Sequence, residues 1–415
     1  MKVSIINQSD INGGAARAAY RLHQALLVQG IDSRMYVNQA IAGDWTVNVP
    51  EKKIQKIADI VRIPLGILFT KLLKTENSVL HSPAFIPSHW PKIMNLTNPD
   101  VVNLHWLGGE MMSIEDIKKI KKPIVWTLHD MWAFCGAEHV SIDNRWRDGY
   151  TTMNRPSHET AFDLNKWTWN RKRSHWKRPM HIVTPSRWLA DCVKQSKLMH
   201  DWPVTVVPNP IDTERWMPIE KELARKLIRL PPQCPIIAFG TFGANAAPHK
   251  GFDLLKSALN NLRGKIKGLE LLVFGCLAPP IPDDLGFPIH YTGHLHDDLS
   301  LRLLYSAIDA MVIPSRQDNL PNCGVEAHSC GTPIIAFNIG GLPDIVDNKK
   351  TGYLANAFDV EEFAEGILWV LEDADRYKLL CKAAREKALK NFNYSVIARK
   401  YINVYQQAID MHKYV

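Results

Sequence analysis

Two carboxylates, Asp318 and Glu326, stand eight residues apart on either side of a short polar turn. Carboxylates at such a position can accept hydrogen bonds from the hydroxyl groups of a ligand. The sequence also predicts a helix start between them, whose free backbone amides suit hydroxyl or phosphate groups. The pair is therefore the first candidate for ligand binding. The alternative is a capped loop and helix in an ordinary α/β core.

The elements around this pair place it at one edge of a predicted sheet. Residues 310–313 predict a buried parallel strand that ends at Pro314. A helix is predicted from Asn322, and it places Glu326 in its first turn, facing the groove above the sheet. Its expected inward side consists of small and apolar residues: Val325, Ala327 and Cys330. In doubly wound folds, nucleotides bind in this groove beyond the carboxyl ends of the strands.

Lys250 is a candidate for binding a negatively charged ligand group. It follows a predicted strand at Ile236–Gly240 and precedes a helix that opens at Gly251. Its ammonium group is therefore expected near the amides of a helix start, which also attract phosphate. The alternative is a solvated lysine at an ordinary helix start.

The N-terminal half has two candidates, each after a predicted strand. Gly13 and Gly14 lie in a turn before a helix predicted from Ala15, and adjacent glycines permit close approach of a ligand to the backbone. This turn lacks the G-x-G-x-x-G spacing, which argues against a dinucleotide enzyme. His129 directly follows the predicted strand at residues 124–128, so its titratable ring lies at a carboxyl end. The alternative is a histidine that is hydrogen bonded in the core.

The composition bounds the class of protein. With 415 residues, of which 46% are hydrophobic and 22% charged, the chain fits two ordinary α/β domains. Seven cysteines without a Cys-x-x-Cys pair argue against a zinc ribbon or a redox motif. The odd count and the lack of a signal peptide lead us to expect a cytoplasmic protein. The one Asp-x-Asp, at Asp373 and Asp375, lies in a helical surface-like stretch, so no metal site is expected.

Predicted strands alternate with helical stretches in both halves, which indicates parallel sheets. We predict an N-terminal domain at residues 1–210, a proline-punctuated linker at 211–232, a C-terminal domain at 233–392 and a terminal helical segment at 393–415.

Two segments suggest a membrane surface. Six basic residues between Lys166 and Arg178 alternate with Trp167, Trp169 and Trp176, a pattern that suits an anionic membrane or nucleic acid. The alternative is a surface helix with its tryptophans packed inward. The apolar stretch at residues 54–73 contains charges and a proline, so it is a poor spanning helix. It suits either a membrane interface or a pair of core helices.

The signature at 318–346 resembles that of the retaining nucleotide-sugar glycosyltransferases of family four, which have the GT-B fold. The relevant phrases are CGTPII at 330–335 and GGLPDIV at 340–346, with Asp318 where the family has the first of two glutamates. The resemblance extends through VTPSRWLA and VVPNPID to the terminal helix. It implies two Rossmann-like doubly wound domains that face a cleft, and a C-terminal helix that crosses back to the first domain.

The resemblance also implies roles for residues. Lys250 would bind the donor diphosphate, and His249 is the candidate for a second cation, because residues 240–245 contain no arginine. Glu326 would bind the ribose, Asp318 the sugar, and His129 would contact the donor sugar. The candidate catalytic residues are Lys250, Asp318, Glu326 and His129. The further implied donor-binding residues are Gly13, Gly14, Leu295, Asn319, Leu320, Pro321 and Asn322.

The implied activity is sugar transfer from a nucleotide-diphosphate sugar to a glycan or lipid-linked acceptor, without a metal or another cofactor. Location at the inner face of the membrane is implied by the type of acceptor, and no nucleic acid partner is expected. Two alternatives remain at this point. One is a GT-B epimerase or phosphorylase, and the other is a non-catalytic basic protein that binds membranes or nucleic acid.

Overall fold

The computed structural model describes residues 1–50, 52–240, 248–279 and 284–413. The chain divides into two compact units, one formed by Met1–Pro208 together with Ile397–Val415, and the other by Asn209–Val396. Residues 211–232, predicted as a linker, belong to the second unit and include a helix. Within this stretch the Arg225 side chain is buried and donates to the carbonyl oxygen of Ala307 (2.8 Å).

The first unit contains a seven-stranded parallel sheet in the order β3-β2-β1-β5-β6-β8-β9 and a separate antiparallel pair, β4 and β7. Its strands are β1 (Lys2–Ser9), β2 (Asp32–Gln39), β3 (Val47–Asn48), β4 (Leu73–Lys74), β5 (Val101–Leu104), β6 (Ile124–Thr127), β7 (Thr160–Ala161), β8 (His181–Thr184) and β9 (Val204–Val206). Its helices are α1 (Gly14–Val28), α2 (Lys53–Thr70), α3 (Trp90–Thr97), α4 (Ile114–Lys118), α5 (Arg145–Asp148), α6 (Leu164–His175) and α7 (Arg187–Gln195).

The second unit contains a six-stranded parallel sheet in the order β12-β11-β10-β13-β14-β15. Its strands are β10 (Ile236–Gly240), β11 (Glu270–Phe274), β12 (Ile289–Tyr291), β13 (Ala310–Ile313), β14 (Ile334–Phe337) and β15 (Gly352–Ala355). Its helices are α8 (Lys221–Leu227), α9 (Phe252–Leu262), α10 (Asp298–Ala307), α11 (Asn322–Ser329), α12 (Leu342–Ile345), α13 (Val360–Leu371) and α14 (Ala374–Asn391), and helix α15 (Tyr394–Lys413) follows.

Both sheets bury their two faces, as apolar runs such as that of β13 predict. Met311 and Ile313 pack into one hydrophobic cluster, whereas Ala310 and Val312 pack into another on the opposite face. Successive side chains of a strand alternate between faces, so a strand covered by helices on both sides must be apolar throughout. The sheets are therefore Rossmann-like cores, each with its loops at the carboxyl edge available for ligands.

Helix α15 returns to the first unit, as predicted. The Tyr405 hydroxyl donates to Asn103 Oδ1 on β5 (2.7 Å), and the hydroxyls of Tyr401 and Thr127 are hydrogen bonded (3.1 Å). Its buried residues are Ile397, Ala398, Tyr401, Val404, Tyr405 and Ala408. Val396, just before this stripe, is half-buried.

The tryptophans of the basic cluster do not form a membrane-facing surface. Trp169 and Trp176 are buried in the core of the first unit, and half-buried Trp167 packs against Phe69 (ring centroids 5.3 Å apart). Lys172 of the same helix is also fully buried. The alternative of a surface helix with inward tryptophans is therefore correct for α6, and the expected exposure of these tryptophans to a membrane is wrong.

Helix α2 has an unusual polarity, because charged residues face the protein and apolar residues face outward. Asp59 and Arg62 are buried and form an ion pair (3.5 Å), and Arg62 also donates to the carbonyl oxygen of Ile86 (2.7 Å). The large apolar side chains on its outer side, and just after its end, are exposed: Ile57, Ile60, Val61, Ile63, Leu65, Ile67, Leu68 and Leu72. This segment is one continuous helix through Pro64, which excludes the predicted alternative of two core helices.

No helix in the described part of the chain is both long and apolar enough to cross a membrane.

Candidate functional site

In the second unit, the candidate residues lie where the strand order reverses. Strands β10 and β13 are neighbours, although β11 and β12 come between them in the sequence. Lys250 lies in the connection that follows β10, and Asp318 in the one that follows β13. The Lys250 ammonium lies 2.7 Å from Asp318 Oδ2. Such a reversal is the usual ligand position in an open α/β sheet.

Two glycines allow these loops to approach one another. Gly251 has a φ of +69°, and a Cβ atom there would lie 2.0 Å from the carbonyl oxygen of Pro314. Gly340 has a φ of +53°, and its Cβ would lie 2.3 Å from the carbonyl oxygen of Asp318. Any side chain at either position would therefore separate the loops, and would move Lys250 or Asp318.

The charge of Lys250 is secured by its partner. Burial favours a lower pKa, but the nearby Asp318 carboxylate outweighs this effect and raises the pKa of Lys250 above its ordinary value. The Lys250 side chain is 44% exposed to solvent. An ammonium group has three donors, and one is directed at Asp318, so Lys250 can also donate to a phosphate.

The role of His249 as a second cation stays a prediction. Burial and the adjacent Lys250 charge both lower its pKa below the ordinary histidine value, so the ring is neutral at neutral pH. Its carbonyl oxygen instead accepts a hydrogen bond from the backbone of Arg316 (2.7 Å). The Arg316 guanidinium is a cation that our sequence interpretation missed, and it forms a bidentate pair with Asp253 (2.7 and 2.6 Å). The loop at residues 241–245 lies outside the described residues.

Glu326 is placed differently from our expectation. Helix α11 begins at Asn322, so Glu326 is its fifth residue and lies beyond the first turn, which contains no acidic residue. Its side chain is buried, and the hydroxyl of the fully buried Tyr305 donates to Oε2 (3.0 Å). Val325, Ala327 and Cys330 face inward as predicted. The ribose-binding role of Glu326 stays a prediction.

The remaining predicted donor-binding residues of this unit lie around the start of α11 and after β12. Asn322 Oδ1 and the carbonyl oxygen of Leu320 both accept from the Asn209 side chain (3.1 and 3.3 Å). Asn319 and Pro321, in the same turn, are half-buried. Leu295 follows β12 and packs partly against the core of the unit.

In the first unit, the glycine turn is exposed at the start of α1. Gly13 has a φ of +94°, and a Cβ atom there would contact nothing within 4 Å. The backbone conformation, and not a lack of space, therefore favours glycine at this position. Asp10 fixes the turn, because its Oδ2 accepts from the amides of Ile41 and Ala42 (2.8 and 2.7 Å). Gly14 is the exposed first residue of α1, and Gly13 before it provides no side-chain cap.

His129 is one of a pair of histidines. His105 directly follows β5, and His129 lies two residues beyond the end of β6. His105 Nδ1 and His129 Nε2 lie 2.9 Å apart. Burial lowers the pKa of His129 to about 4, and burial together with His129 lowers the pKa of His105 well below its ordinary value. Both rings are therefore neutral at neutral pH, and one donates to the other. His105 is a residue that sequence reasoning missed, although it too follows a predicted strand.

Asp130 lies in a hydrogen-bonded series with His139 and Ser82. His139 Nδ1 is 2.6 Å from Asp130 Oδ2, and His139 Nε2 is 2.8 Å from Ser82 Oγ. This order matches that of a nucleophilic triad, but Ser82 is buried and its hydroxyl accepts from the Gly109 amide (3.2 Å). The series therefore fixes the loop after β6 and the position of Asp130.

The buried ammonium of Lys172 stabilises the same loop. It donates to the carbonyl oxygens of Cys135 (3.1 Å), Gly136 (2.7 Å) and Trp132. Burial lowers the pKa of Lys172 to about 7. Its carbonyl partners give this lysine of the basic cluster a structural role.

Metal ligands are not grouped in the described part of the chain: no cluster of three or more histidine, cysteine, aspartate or glutamate residues is found there. Asp373 caps helix α14, and its Oδ1 accepts from the amides of Asp375 and Arg376 (3.0 and 2.9 Å).

Two parallel sheets with candidate ligand loops at their carboxyl edges define a protein with two Rossmann-like α/β domains. Residues 12–215 match the family model described as Glycosyltransferase Family 4, and residues 235–373 match that described as Glycosyl transferases group 1. The chain therefore belongs to the family-4, group-1 glycosyltransferases of the GT-B fold.

Individual relatives agree with this assignment. The chain is 27% identical over 226 residues to a D-inositol 3-phosphate glycosyltransferase of Catenulispora acidiphila (50% of this chain, 51% of the relative). It is 27% identical over 210 residues to a GDP-mannose-dependent alpha-(1-6)-phosphatidylinositol monomannoside mannosyltransferase of Mycobacterium tuberculosis (47% and 53%). The matches thus span about half the length of these curated relatives.

Among solved structures, HepE of Anabaena in complex with UDP-glucose superimposes with a TM-score of 0.64 at 14% identity, over 98% of this chain and 100% of that chain. At this identity the likeness concerns the fold.

Proposed function

We propose that this protein transfers a sugar from a nucleotide-diphosphate sugar to a hydroxyl of a glycan or lipid-linked acceptor, with retention of the anomeric configuration. The observation that carries this proposal is the Lys250–Asp318 pair at the switch point of the second sheet (2.7 Å). A fixed cation beside a carboxylate suits the two parts of such a donor. The ammonium of Lys250 binds the diphosphate, and the carboxylate of Asp318 binds the sugar hydroxyls.

In the proposed reaction, the bond from the anomeric carbon to the leaving phosphate oxygen breaks. A bond from the acceptor oxygen forms on the same face, and the acceptor proton passes to the leaving diphosphate. Lys250 stabilises the charge that develops on the diphosphate, which is the part of the reaction that benefits most from a fixed cation. This assignment requires no divalent metal.

The other residues have binding roles in the proposal. Glu326 binds the ribose, and the Tyr305 hydroxyl, which donates to its Oε2, holds the carboxylate in place. Asp318 and the turn before α11 bind the donor sugar. In the first unit, the start of α1 at Gly13 and Gly14 contacts the diphosphate, and His129 contacts the sugar as a neutral ring.

The names of the similar proteins support the substrate classes. The Anabaena structure contains UDP-glucose, and the Mycobacterium relative is named for a phosphatidylinositol-based acceptor. UDP- and GDP-sugars are therefore the first donors to test, and lipid-linked glycans the first acceptors.

A thermal-shift experiment with UDP, GDP and ADP tests the nucleotide site. Ligand at a hundred times its Kd stabilises the folded state by about 2.7 kcal/mol. We expect one nucleotide to stabilise the protein, and to do so much less in Lys250→Met. The control is Lys265→Met, because Lys265 is an exposed lysine elsewhere in the same unit. If no nucleotide stabilised the protein, or if both variants behaved alike, the assignment of the site would be refuted.

We also propose that the protein works at the surface of an anionic membrane, which it contacts through helix α2. The outer side of this helix is apolar, with Ile60 exposed by 70% and Ile57 and Leu68 by 61% each. Soluble monomers rarely expose so many large apolar side chains together. Because Asp59 and Arg62 are fixed on the inner side, rotation of the helix cannot bury the apolar side.

Charge indicates which partner covers this helix. Five exposed lysines flank it or lie near its ends: Lys52, Lys53, Lys56, Lys71 and Lys74. Each lysine near an anionic surface contributes on the order of 1 kcal/mol, so together they favour lipid by roughly 5 kcal/mol at low salt. An apolar side flanked by lysines is the pattern of a helix that lies in the membrane interface.

Flotation with vesicles tests this location. We expect enrichment on anionic vesicles at low salt, little on zwitterionic ones, and loss of binding in Ile60→Glu/Leu68→Glu. The control is Leu223→Glu/Leu379→Glu, because these leucines are exposed in the other unit. Absence of enrichment would refute the proposal. Dimerisation that the α2 variant abolishes would instead indicate a second copy of the chain as the partner.

A further inference from the structure

A cavity in the first unit lies at the opposite edge of the sheet from His129. Its volume is about 450 Å³, within the range of small-molecule sites. It is bounded by the start of β6 and by the C-terminal ends of α4, α6 and α15. The other three residues of β6 and Leu128 separate it from His129, so it is distinct from the site described above.

The inner wall of this cavity is apolar. Ile117, Ile120 and Met180 are buried, and Trp176 from the basic cluster adds its ring. Apolar walls in a cavity of this size favour a hydrocarbon group over water.

The rim of the cavity is cationic. Its five lysines and arginines are Lys118, Lys121, Lys122, Lys177 and Arg178, and no carboxylate is among the described residues that line it. Cations also compensate the partial negative charge at helix C-termini, which is about half a charge for each helix. Three helix ends thus account for about one and a half charges, and the five cations exceed this, so the rim stays positive.

We propose that this cavity binds an anionic amphiphile, namely an alkyl chain that bears a phosphate group. The chain occupies the apolar wall, and the phosphate contacts the cationic rim, for which Lys121 and Lys177 are two exposed donors. Such a molecule can come from the bilayer or be free in solution. The proposal does not depend on the proposed transfer reaction.

Dodecyl phosphate below its critical micelle concentration is the probe, and binding is measured by calorimetry. We expect saturable binding of one molecule per chain, much weaker binding of inorganic phosphate, and much weaker binding of the uncharged dodecyl maltoside. Equal binding of inorganic phosphate would indicate a simple anion site, and equal binding of the maltoside an apolar one. Either result would overturn the proposal.

Variants locate the binding. We expect Lys121→Glu/Lys177→Glu to weaken binding at least tenfold, and the control Lys194→Glu/Lys226→Glu to leave it unchanged, because those exposed lysines lie elsewhere. Met411→Trp, which reduces the cavity volume, should also weaken it, with folding checked by thermal unfolding.

The α2 variant Ile60→Glu/Leu68→Glu distinguishes binding of a free amphiphile in this cavity from contact of helix α2 with a bilayer. It should bind dodecyl phosphate normally even where it no longer binds vesicles. If the protein bound anionic vesicles but no monomeric dodecyl phosphate, the cavity would not be an amphiphile site.

Discussion

Replacement of Lys250 by methionine should impair catalysis while leaving the fold intact. Methionine retains the length of the side chain and removes the charge. A hydrogen bond between charged groups contributes about 1.5–3 kcal/mol, so its loss should lower kcat/KM by about 10- to 150-fold. The Lys250–Asp318 pair is partly exposed, with 44% of the lysine side chain accessible. Its loss should therefore cost less than about 1 kcal/mol of folding stability.

The assay is initial-rate kinetics at subsaturating and saturating donor, with thermal unfolding of the same samples. If Lys250 stabilises the departing diphosphate, kcat should fall. If it only binds the donor in the ground state, KM should rise instead. The double variant Lys250→Met/Asp318→Asn should lose less than the two single effects combined, because the pair acts as a unit. Activity near that of the unmodified protein would refute the role of Lys250, provided that Lys265→Met is also active.

Three further outcomes are expected. Glu326→Gln can still accept a hydrogen bond from Tyr305, so it should fold normally. Its affinity for the nucleotide, measured by calorimetry, should fall by about 10- to 150-fold. An unchanged affinity would contradict the role of Glu326 in binding ribose. Exhaustive chelation should leave turnover unchanged, and loss of activity with rescue by magnesium would contradict the proposed independence from metal. The contribution of His129 to the free energy of unfolding should fall by up to about 3 kcal/mol as the pH decreases from 6.5 to about 4, because its ring is protonated first in the unfolded state. His129→Gln should reduce this slope in chemical denaturation, and an unchanged slope would contradict the burial of that ring.

Much of the fold could be predicted because parallel strands covered on both faces are continuous apolar runs. The strands at Ile236–Gly240 and Ala310–Ile313 were predicted with the bounds that the structure shows. Strand β2, at Asp32–Gln39, was not predicted, since its sequence DSRMYVNQ mixes polar and apolar residues. Local patterns cannot reveal a strand whose burial depends on its neighbours in the sheet.

The site was predictable where it depended on the order of elements, and less so where it depended on packing. The end of a strand and the start of a helix fixed the positions of Lys250 and Asp318. The neutral state of His249 and the contact of Glu326 with Tyr305 arise from burial by distant segments. Burial also distinguishes the two membrane candidates, because the tryptophans of α6 face inward and the apolar side of α2 faces outward.

Product formation from a defined nucleotide sugar is the most direct test of the central claim. The protein is incubated with UDP- and GDP-sugars and lipid-linked glycan acceptors, and products are identified by mass and by the NMR coupling constant of the new anomeric proton. We predict one added sugar with the anomeric configuration of the donor, and none with Lys250→Met. An inverted product would contradict the proposed reaction. An epimerised donor, or phosphorolysis without transfer, would contradict the proposed class of activity.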